Sequence, residues 1–138
     1  MEIKDLFLAL TYTVKFQSEK TLIKKLYSSN ENLSEIFAEN KKELTLKITN
    51  EQSQNISRLK KEIKKIVINE IKNTLKEKKI KFVAYCEKDY PQKLKEISDS
   101  PLGLFYQGNL SNLNTLKHIA IVGTRSSTNY GNNLTKKI

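Results

Sequence analysis

The stretch His118-Ile119-Ala120-Ile121-Val122-Gly123-Thr124-Arg125 decides the expected fold of this chain. Its continuous apolar run is typical of a β-strand that is buried on both faces of a parallel sheet. The run stops at a glycine, polar residues follow, and the stretch NNLTKKI (132–138) has the composition of a helix. A strand, a turn and a helix in this order open an α/β nucleotide-binding fold, so this part of the chain predicts the beginning of a Rossmann-like domain.

The turn after this strand has the chemistry of an anion site. Backbone N–H groups at such a junction point outward, and the start of the helix adds partial positive charge. Gly123 allows close approach of a phosphate, Thr124, Ser126 and Ser127 offer hydroxyl donors, and Arg125 offers a planar fork that matches phosphate oxygens. We therefore predict phosphate binding at these five residues. The alternative is a plain turn in which the arginine pairs with a carboxylate.

Two common phosphate motifs are missing from the turn. It does not read GxGxxG, and no GKS or GKT occurs in the chain. Dinucleotide binding of the ordinary kind and P-loop chemistry are therefore disfavoured.

Working back toward the amino terminus, the spacing of apolar residues changes at residue 80. The stretch IKFVAY (80–85) alternates and predicts a strand, QKLKEI (92–97) predicts a short helix after Pro91, and LGLFY (102–106) predicts a second strand. The turn Ser98-Asp99-Ser100-Pro101 separates the last two.

Four spaced motifs in residues 90–131 resemble the DprA/Smf family of DNA-processing proteins. These are Tyr90-Pro91 with Leu94 and Ile97 (YPxxLxxI), Pro101 with Leu104-Phe105-Tyr106 and Gly108-Asn109 (PxxLYxxGN), Ile121-Val122-Gly123-Thr124-Arg125 (IVGSR), and Tyr130-Gly131 (YG). The resemblance implies a protein that binds single-stranded DNA and helps to load a RecA-type recombinase during natural transformation. It also implies that Gly123, Thr124 and Arg125 contact phosphate, and that the complete family forms homodimers.

The chain departs from the family pattern in two places. Ser100 stands where the family often has a second proline. The sequence also ends at Ile138, whereas a compact open α/β domain needs on the order of 100 further residues. We therefore expect the Rossmann-like domain, residues 81–138, to be truncated and to lack the dimerisation region, either as a domain fragment or as an interrupted gene product.

Residues 1–80 are predicted to form a separate helical domain, a bundle similar to the SAM-like or helix-hairpin-helix extension of that family. Apolar residues recur at helical spacing over 2–16, 19–28 and about 33–37, with Ser18 and Asn30 or Asn32 as candidate caps. A further helical pattern covers about 50–79. Its seam drifts, which indicates either one long helix or two helices with a break near Val67–Asn69.

The chain is strongly basic, with a net charge of +10 that is concentrated in its middle third. Residues 41–81 hold 13 basic and 5 acidic side chains. A polyanion is the partner that this balance favours, and Lys60, Lys61, Lys64 and Lys65 are predicted as accessory DNA contacts. The alternative is a solvated lysine-rich face, because 23 lysines against 2 arginines is also typical of an AT-rich genome.

No catalytic or metal-binding constellation is recognisable. Cys86 and His118 are the single cysteine and the single histidine, so we expect neither a disulfide, a metal nor a cofactor. The sequence contains no signal-like segment and no membrane-spanning run, which favours a cytosolic protein.

The sequence thus predicts a non-enzymatic DNA-binding protein. The alternatives are a nucleotide-binding enzyme of the lysine-decarboxylase-like or phosphoribohydrolase group, which shares a similar strand and glycine turn, and a non-functional truncated product.

Overall fold

The computed structural model describes residues 1–38, 47–110 and 122–137, together with residues 113, 117, 119 and 120. Within these ranges the chain is an α+β protein, which confirms the coarser part of the fold prediction. The described elements are helices and one two-stranded antiparallel sheet. In chain order they are α1 (Ile3–Thr13), α2 (Gln17–Ser28), α3 (Leu33–Phe37), α4 (Asn50–Lys64), α5 (Ile68–Glu77), β1 (Lys81–Ala84), α6 (Gln92–Lys95), β2 (Gly103–Tyr106) and α7 (Asn129–Thr135).

Helix α1 lies at the centre of the structure. It contacts α3, α4, α5 and both strands. The five consecutive residues from Leu6 to Leu10 are all buried, as expected of a helix that is covered on every side rather than along one stripe. The main core surrounds it and includes Ile23 of α2, Ile36 of α3 and Leu59 of α4.

Helix α2 begins differently from the sequence prediction. Ser18 does not cap it, because the helix already starts at Gln17. The carboxylate of Glu19 instead accepts hydrogen bonds from the backbone N–H groups of Lys15 (3.0 Å) and Phe16 (3.2 Å). Glu19 is the third residue of the helix, and its carboxylate reaches back to the N–H groups that precede the helix, as in the carboxylate half of a capping box.

The next two helix starts follow the expected capping rules. Asn32 caps α3 and accepts a hydrogen bond from the Glu35 backbone N–H, which decides between the two candidate asparagines. Thr49 caps α4 through a reciprocal pair with Gln52, in which each side chain accepts from the other residue's backbone N–H.

The pattern over residues 50–79 forms two helices. Helix α4 ends at Lys64 and α5 begins at Ile68, close to the break that one of the two predictions placed at Val67–Asn69. Ile66, Val67 and Ile68 are three consecutive β-branched residues, which favour helix less than unbranched side chains do. Helix α5 has no fully buried residue, so its apolar stripe is only partly covered.

Strands β1 and β2 pair antiparallel, with Phe82 opposite Phe105 and Ala84 opposite Gly103. Both predicted strands are therefore confirmed. The pair is called the hairpin below, although residues 85–102 separate the two strands. One face of this hairpin packs on the helices, because Ala84 and the neighbouring Leu102 belong to the main core. The division into domains at residue 80 stays a prediction, although the helices and the hairpin share this core.

A second, smaller core lies on the other face of the hairpin. Val83, Tyr90 and Leu110 form it, and the half-buried Leu94 and Leu104 pack against them. The Tyr90 hydroxyl donates a hydrogen bond to the Pro101 carbonyl at 2.9 Å, which ties the two ends of the α6 connection together.

The strand predicted over residues 118–122 is not found at its described positions. Ile119, Ala120 and Val122 belong to no strand, and Ile119 and Val122 are 80% and 90% exposed. A buried parallel strand needs backbone partners on its edges, and these residues have none within the described ranges. His118 and Ile121 lie outside the described residues.

In the described ranges, no helix is both long and apolar enough to cross a membrane.

Candidate nucleic-acid interface

The predicted phosphate turn leads into α7. The Thr128 hydroxyl caps the helix by accepting a hydrogen bond from the Gly131 backbone N–H at 3.2 Å. The helix therefore begins at Asn129, three residues before the predicted NNLTKKI segment. Gly131 of the Tyr130-Gly131 motif thus supplies the donor that fixes the start of the helix.

Two of the predicted hydroxyl donors are already engaged inside the turn. Thr124 donates to the Ser126 carbonyl at 2.8 Å, and Ser127 donates to the Asn132 side-chain oxygen at 2.8 Å. These contacts fix the local shape of the turn. A bound phosphate would have to share or replace them.

Arg125 is the available cation of this turn. Its side chain is exposed, and it forms no ion pair and no hydrogen bond with any described residue. The alternative that it pairs with a carboxylate therefore finds no partner in the described part of the chain. A guanidinium left free in this way can still offer both of its parallel N–H donors to a phosphate.

Gly123 has no steric reason of its own to be glycine. Its φ does not lie in the left-handed region, and a Cβ added there would meet no atom within 4 Å. Any requirement for glycine at this position would therefore come from a group that approaches the backbone, such as a ligand.

The four predicted accessory lysines do not share one surface of α4. With roughly 100° of rotation per residue, Lys61 lies opposite the buried Ile56, Leu59 and Ile63 seam, and Lys64 lies to one side of it. Lys60 is half-buried beside the seam. Lys65 forms an ion pair with Glu62 at 2.9 Å. Of the four lysines, Lys61 and Lys64 are the two that are exposed within α4 itself.

Cys86 is held in its neutral form. Burial, and after it the nearby Glu87 carboxylate, raises the pKa of the Cys86 thiol. A raised thiol pKa lowers the thiolate fraction and with it the nucleophilicity of the group.

Comparison with known proteins bears on the same part of the chain. Residues 81–138 match the family described as DNA recombination-mediator protein A. The similarity to that family therefore covers the carboxyl-terminal part of the chain. The predicted resemblance is confirmed here, since the match includes the two predicted strands, the turn with Arg125, and helix α7.

A curated relative supports the same assignment. The DNA processing protein DprA of Bacillus subtilis is 42% identical over 67 residues, which are 46% of this chain and 23% of the relative. The chain thus spans about a quarter of that relative's length. No solved structure gives a significant match.

One basic surface was missed by the sequence prediction of sites. Lys72, Lys76, Lys79 and Lys81 surround an apolar hollow between α1, α5 and the hairpin. The spacing of Lys72 and Lys76 places them on one side of a helix, but only the folded chain brings them to the residues of β1.

Proposed function

We propose that this chain binds single-stranded DNA as part of DNA processing for recombination and transformation. The observation that carries the proposal is the family match over residues 81–138, which contains the turn with Arg125. By the same resemblance, a RecA-type recombinase is the proposed protein partner, dimerisation is expected of the whole protein, and the cytoplasm is the expected location.

Arg125 is the proposed centre of the phosphate contact. Its guanidinium would donate two charge-assisted hydrogen bonds to phosphate oxygens, each worth about 1.5–3 kcal/mol. Ser126, whose hydroxyl has no hydrogen-bond partner among the described residues, would add a third donor. Thr124 and Ser127 would hold the turn in shape, and Gly123 would let the phosphate groups of the DNA come close to the protein backbone.

Lys61 and Lys64 are proposed as a second, purely electrostatic contact. An ammonium on a flexible stem attracts phosphates without fixing their geometry. Such contacts would strengthen binding to any sequence and would weaken steeply with salt, because each neutralised phosphate releases condensed cations.

An enzymatic alternative is not favoured. The matched family is described by its role as a recombination mediator, and its description names no chemical reaction. The alternative of a lysine-decarboxylase-like enzyme has a single argument, namely that such enzymes share a similar strand followed by a glycine turn.

The test is fluorescence anisotropy with a labelled oligo-dT of about 20 nucleotides at low salt. We expect weak but measurable binding by the parent chain and at least a tenfold loss for Arg125→Ala, which corresponds to about 1.4 kcal/mol, roughly the low end of what one charge-assisted hydrogen bond supplies. Arg125→Lys should recover only part of the loss, since it restores the charge but not the fork. A mixed-sequence oligonucleotide should give the same order, because phosphates carry no base identity.

Lys136→Ala is the matched control for Arg125→Ala. It removes one exposed positive charge at the end of the same helix, outside the turn. If both variants lose the same affinity, the turn contributes only net charge and the phosphate assignment is wrong. Lys61→Glu with Lys64→Glu tests the second contact in the same assay, and an unchanged salt slope would make these lysines a solvated face.

A further inference from the structure

An apolar hollow of about 560 Å³ lies between α1, α5 and β1. We call it the α5 groove. Its floor consists of Leu8 of α1, Leu75 of α5, and Ile80 and Phe82 at the start of the hairpin. Its volume falls inside the roughly 300–1,000 Å³ that is usual for ligand-binding clefts. The groove exists because α5 contributes no fully buried side chain and leaves its apolar stripe half-covered.

Lysines form the rim of the α5 groove. Lys4, Lys72, Lys76, Lys79 and Lys81 line it, against the single acid Asp5. Three of these charges already have partners. Lys4 pairs with Glu87 (2.8 Å), Lys72 pairs with Asp5 (2.6 Å), and Lys81 donates to the Gly108 carbonyl (3.2 Å).

Lys76 and Lys79 are the two rim lysines without an acidic partner among the described residues. Both are exposed and lie at the carboxyl end of α5. Part of their role is to complement the partial negative charge of that helix end. They nevertheless leave uncompensated positive charge beside a strongly apolar floor, and this combination favours a ligand that is both acidic and apolar.

The floor distinguishes between two acidic ligands, a nucleic acid and a peptide. Bases bind by stacking on free aromatic faces. Phe82 packs against Gly103, where an added Cβ would lie 2.3 Å from its ring, and it also contacts Phe105 at 5.1 Å between centroids. The Lys81 ammonium lies 5.9 Å from the Tyr106 ring centroid. With these rings engaged, the free floor is aliphatic and suits Leu, Ile or Phe side chains.

A second copy of this chain is a poor occupant. In a symmetric dimer, each patch meets the same patch of its partner. Two α5 grooves facing each other would bring the uncompensated Lys76 and Lys79 of both copies together, and each chain also carries a net charge of +10. Like charges placed opposite each other in an interface oppose association.

We propose that the α5 groove binds an acidic amphipathic helix of a partner protein. Apolar side chains at i, i+4 and i+7 of that helix would lie on the floor, and its Asp or Glu residues would pair with Lys76 and Lys79. This is the mode in which amphipathic helices bind apolar grooves. The site is separate from the Arg125 turn and does not depend on the proposed DNA binding.

The experiment uses a fluorescein-labelled peptide of about 14 residues with Leu at i, i+4 and i+7 and Glu at most other positions. A peptide of the same composition, shuffled so that the leucines do not share a face, is the ligand control. We expect the patterned peptide to bind the chain at least about tenfold more tightly than the shuffled one, because only the patterned peptide places all three leucines on the floor.

Lys76→Glu combined with Lys79→Asn is the main variant. Asparagine is chosen at 79 because this residue has φ 53°, a conformation that asparagine tolerates better than most residues. Lys88→Asn combined with Lys93→Glu is the matched control, since it makes the same change of charge at two exposed lysines outside the groove. We expect the main variant to lose about tenfold in affinity or more and the control to lose at most twofold.

Leu75→Ala tests the floor. It should weaken the patterned peptide severalfold while leaving the shuffled peptide unchanged, and circular dichroism shows whether the helices persist. If Leu75→Ala unfolds the chain, the comparison of the main lysine variant with its control decides whether the groove binds the peptide. Backbone amide shifts on titration with the peptide should be largest around Leu75 and Ile80.

Three results would overturn the proposal. They are equal loss in the main and control lysine variants, equal binding of the two peptides, and displacement of the patterned peptide by oligo-dT that persists in Arg125→Ala. The last result would make the groove a nucleic-acid contact instead.

Discussion

Replacing Arg58 with methionine tests how α2 and α4 are held together. The Arg58 guanidinium donates from Nε (3.1 Å) and from Nη2 to one carboxylate oxygen of Glu19. The Glu19 side chain is fully buried, whereas that of Arg58 is one-third exposed. Methionine keeps much of the aliphatic stem of arginine and its helix propensity, so the substitution removes mainly the charge.

The expected loss of unfolding free energy follows from what the substitution leaves behind. The Glu19 carboxylate would keep two backbone hydrogen bonds but lose its cation in a buried position. Breaking a buried pair costs about 3–5 kcal/mol, and the partial exposure of the arginine reduces this to about 2–3 kcal/mol. Glu19→Gln in the same background should recover part of the loss, because it removes the uncompensated charge.

The pH dependence has a definite sign. Burial alone would raise the pKa of Glu19, but hydrogen bonds from the Lys15 backbone, from Arg58 and from the Phe16 backbone, together with the charge of Arg58, lower it overall below its ordinary 4.5. Folding therefore favours the charged form. This contribution is fully present above pH 4.5 and is lost as the pH falls through the lower pKa of the folded state.

Urea unfolding followed by circular dichroism measures these differences. Lys65→Met, at the C-cap of α4, is the matched control, because it breaks the exposed pair with Glu62 (2.9 Å) and should change stability by no more than the error of the measurement. If Arg58→Met costs no more than Lys65→Met at pH 7, the Glu19–Arg58 pair does not hold the two helices together.

Two further predictions concern the hairpin and its smaller core. Gly103→Ala should destabilise the chain by about 1–3 kcal/mol in urea unfolding, because the new Cβ would lie 2.3 Å from the Phe82 ring, whereas Gly123→Ala, which meets no atom within 4 Å, should be neutral. Burial and the neighbouring Tyr85 raise the pKa of Tyr90 from 10.0 to about 12, so its contribution to stability is present below pH 10 and lost as the pH rises toward 12. Tyr90→Phe should therefore show a shallower loss of stability over that interval, and identical curves would contradict the assignment.

The elements that were predicted correctly are those whose signal is local. Apolar spacing gave the helices and both hairpin strands, and Asn32 was one of two candidate caps for α3. The start of α2 was wrong because Ser18 and Glu19 are both plausible partners for unpaired N–H groups. Glu19 also accepts hydrogen bonds from Arg58, a residue 39 positions away, and a local pattern does not show this contact. The strand at 118–122 was inferred from hydrophobicity, which shows that a segment can be buried but does not supply its neighbours.

The two candidate sites also differ in whether their signal is local in the sequence. The motif around Arg125 is contiguous, so sequence alone could single it out, and its role in DNA binding stays a proposal. The α5 groove could not be found this way. Its floor combines Leu8, Leu75 and Ile80, which come together only after α1, α5 and the hairpin pack. The like-charge pair Lys72 and Lys76 was visible at helical spacing, but the sequence did not show that it borders an apolar surface.

The surroundings of individual lysines carry information that net charge does not. An excess of lysine over arginine fits both a DNA-binding surface and a compositional bias. A bias would distribute lysines without regard to the groups beside them. In the structure, Lys72 and Lys65 have acidic partners close by, whereas Lys76 and Lys79 have none among the described residues and border an apolar hollow. Positive charge without a nearby acid beside partly covered apolar surface suits an acidic amphipathic partner, and composition alone does not reveal this combination.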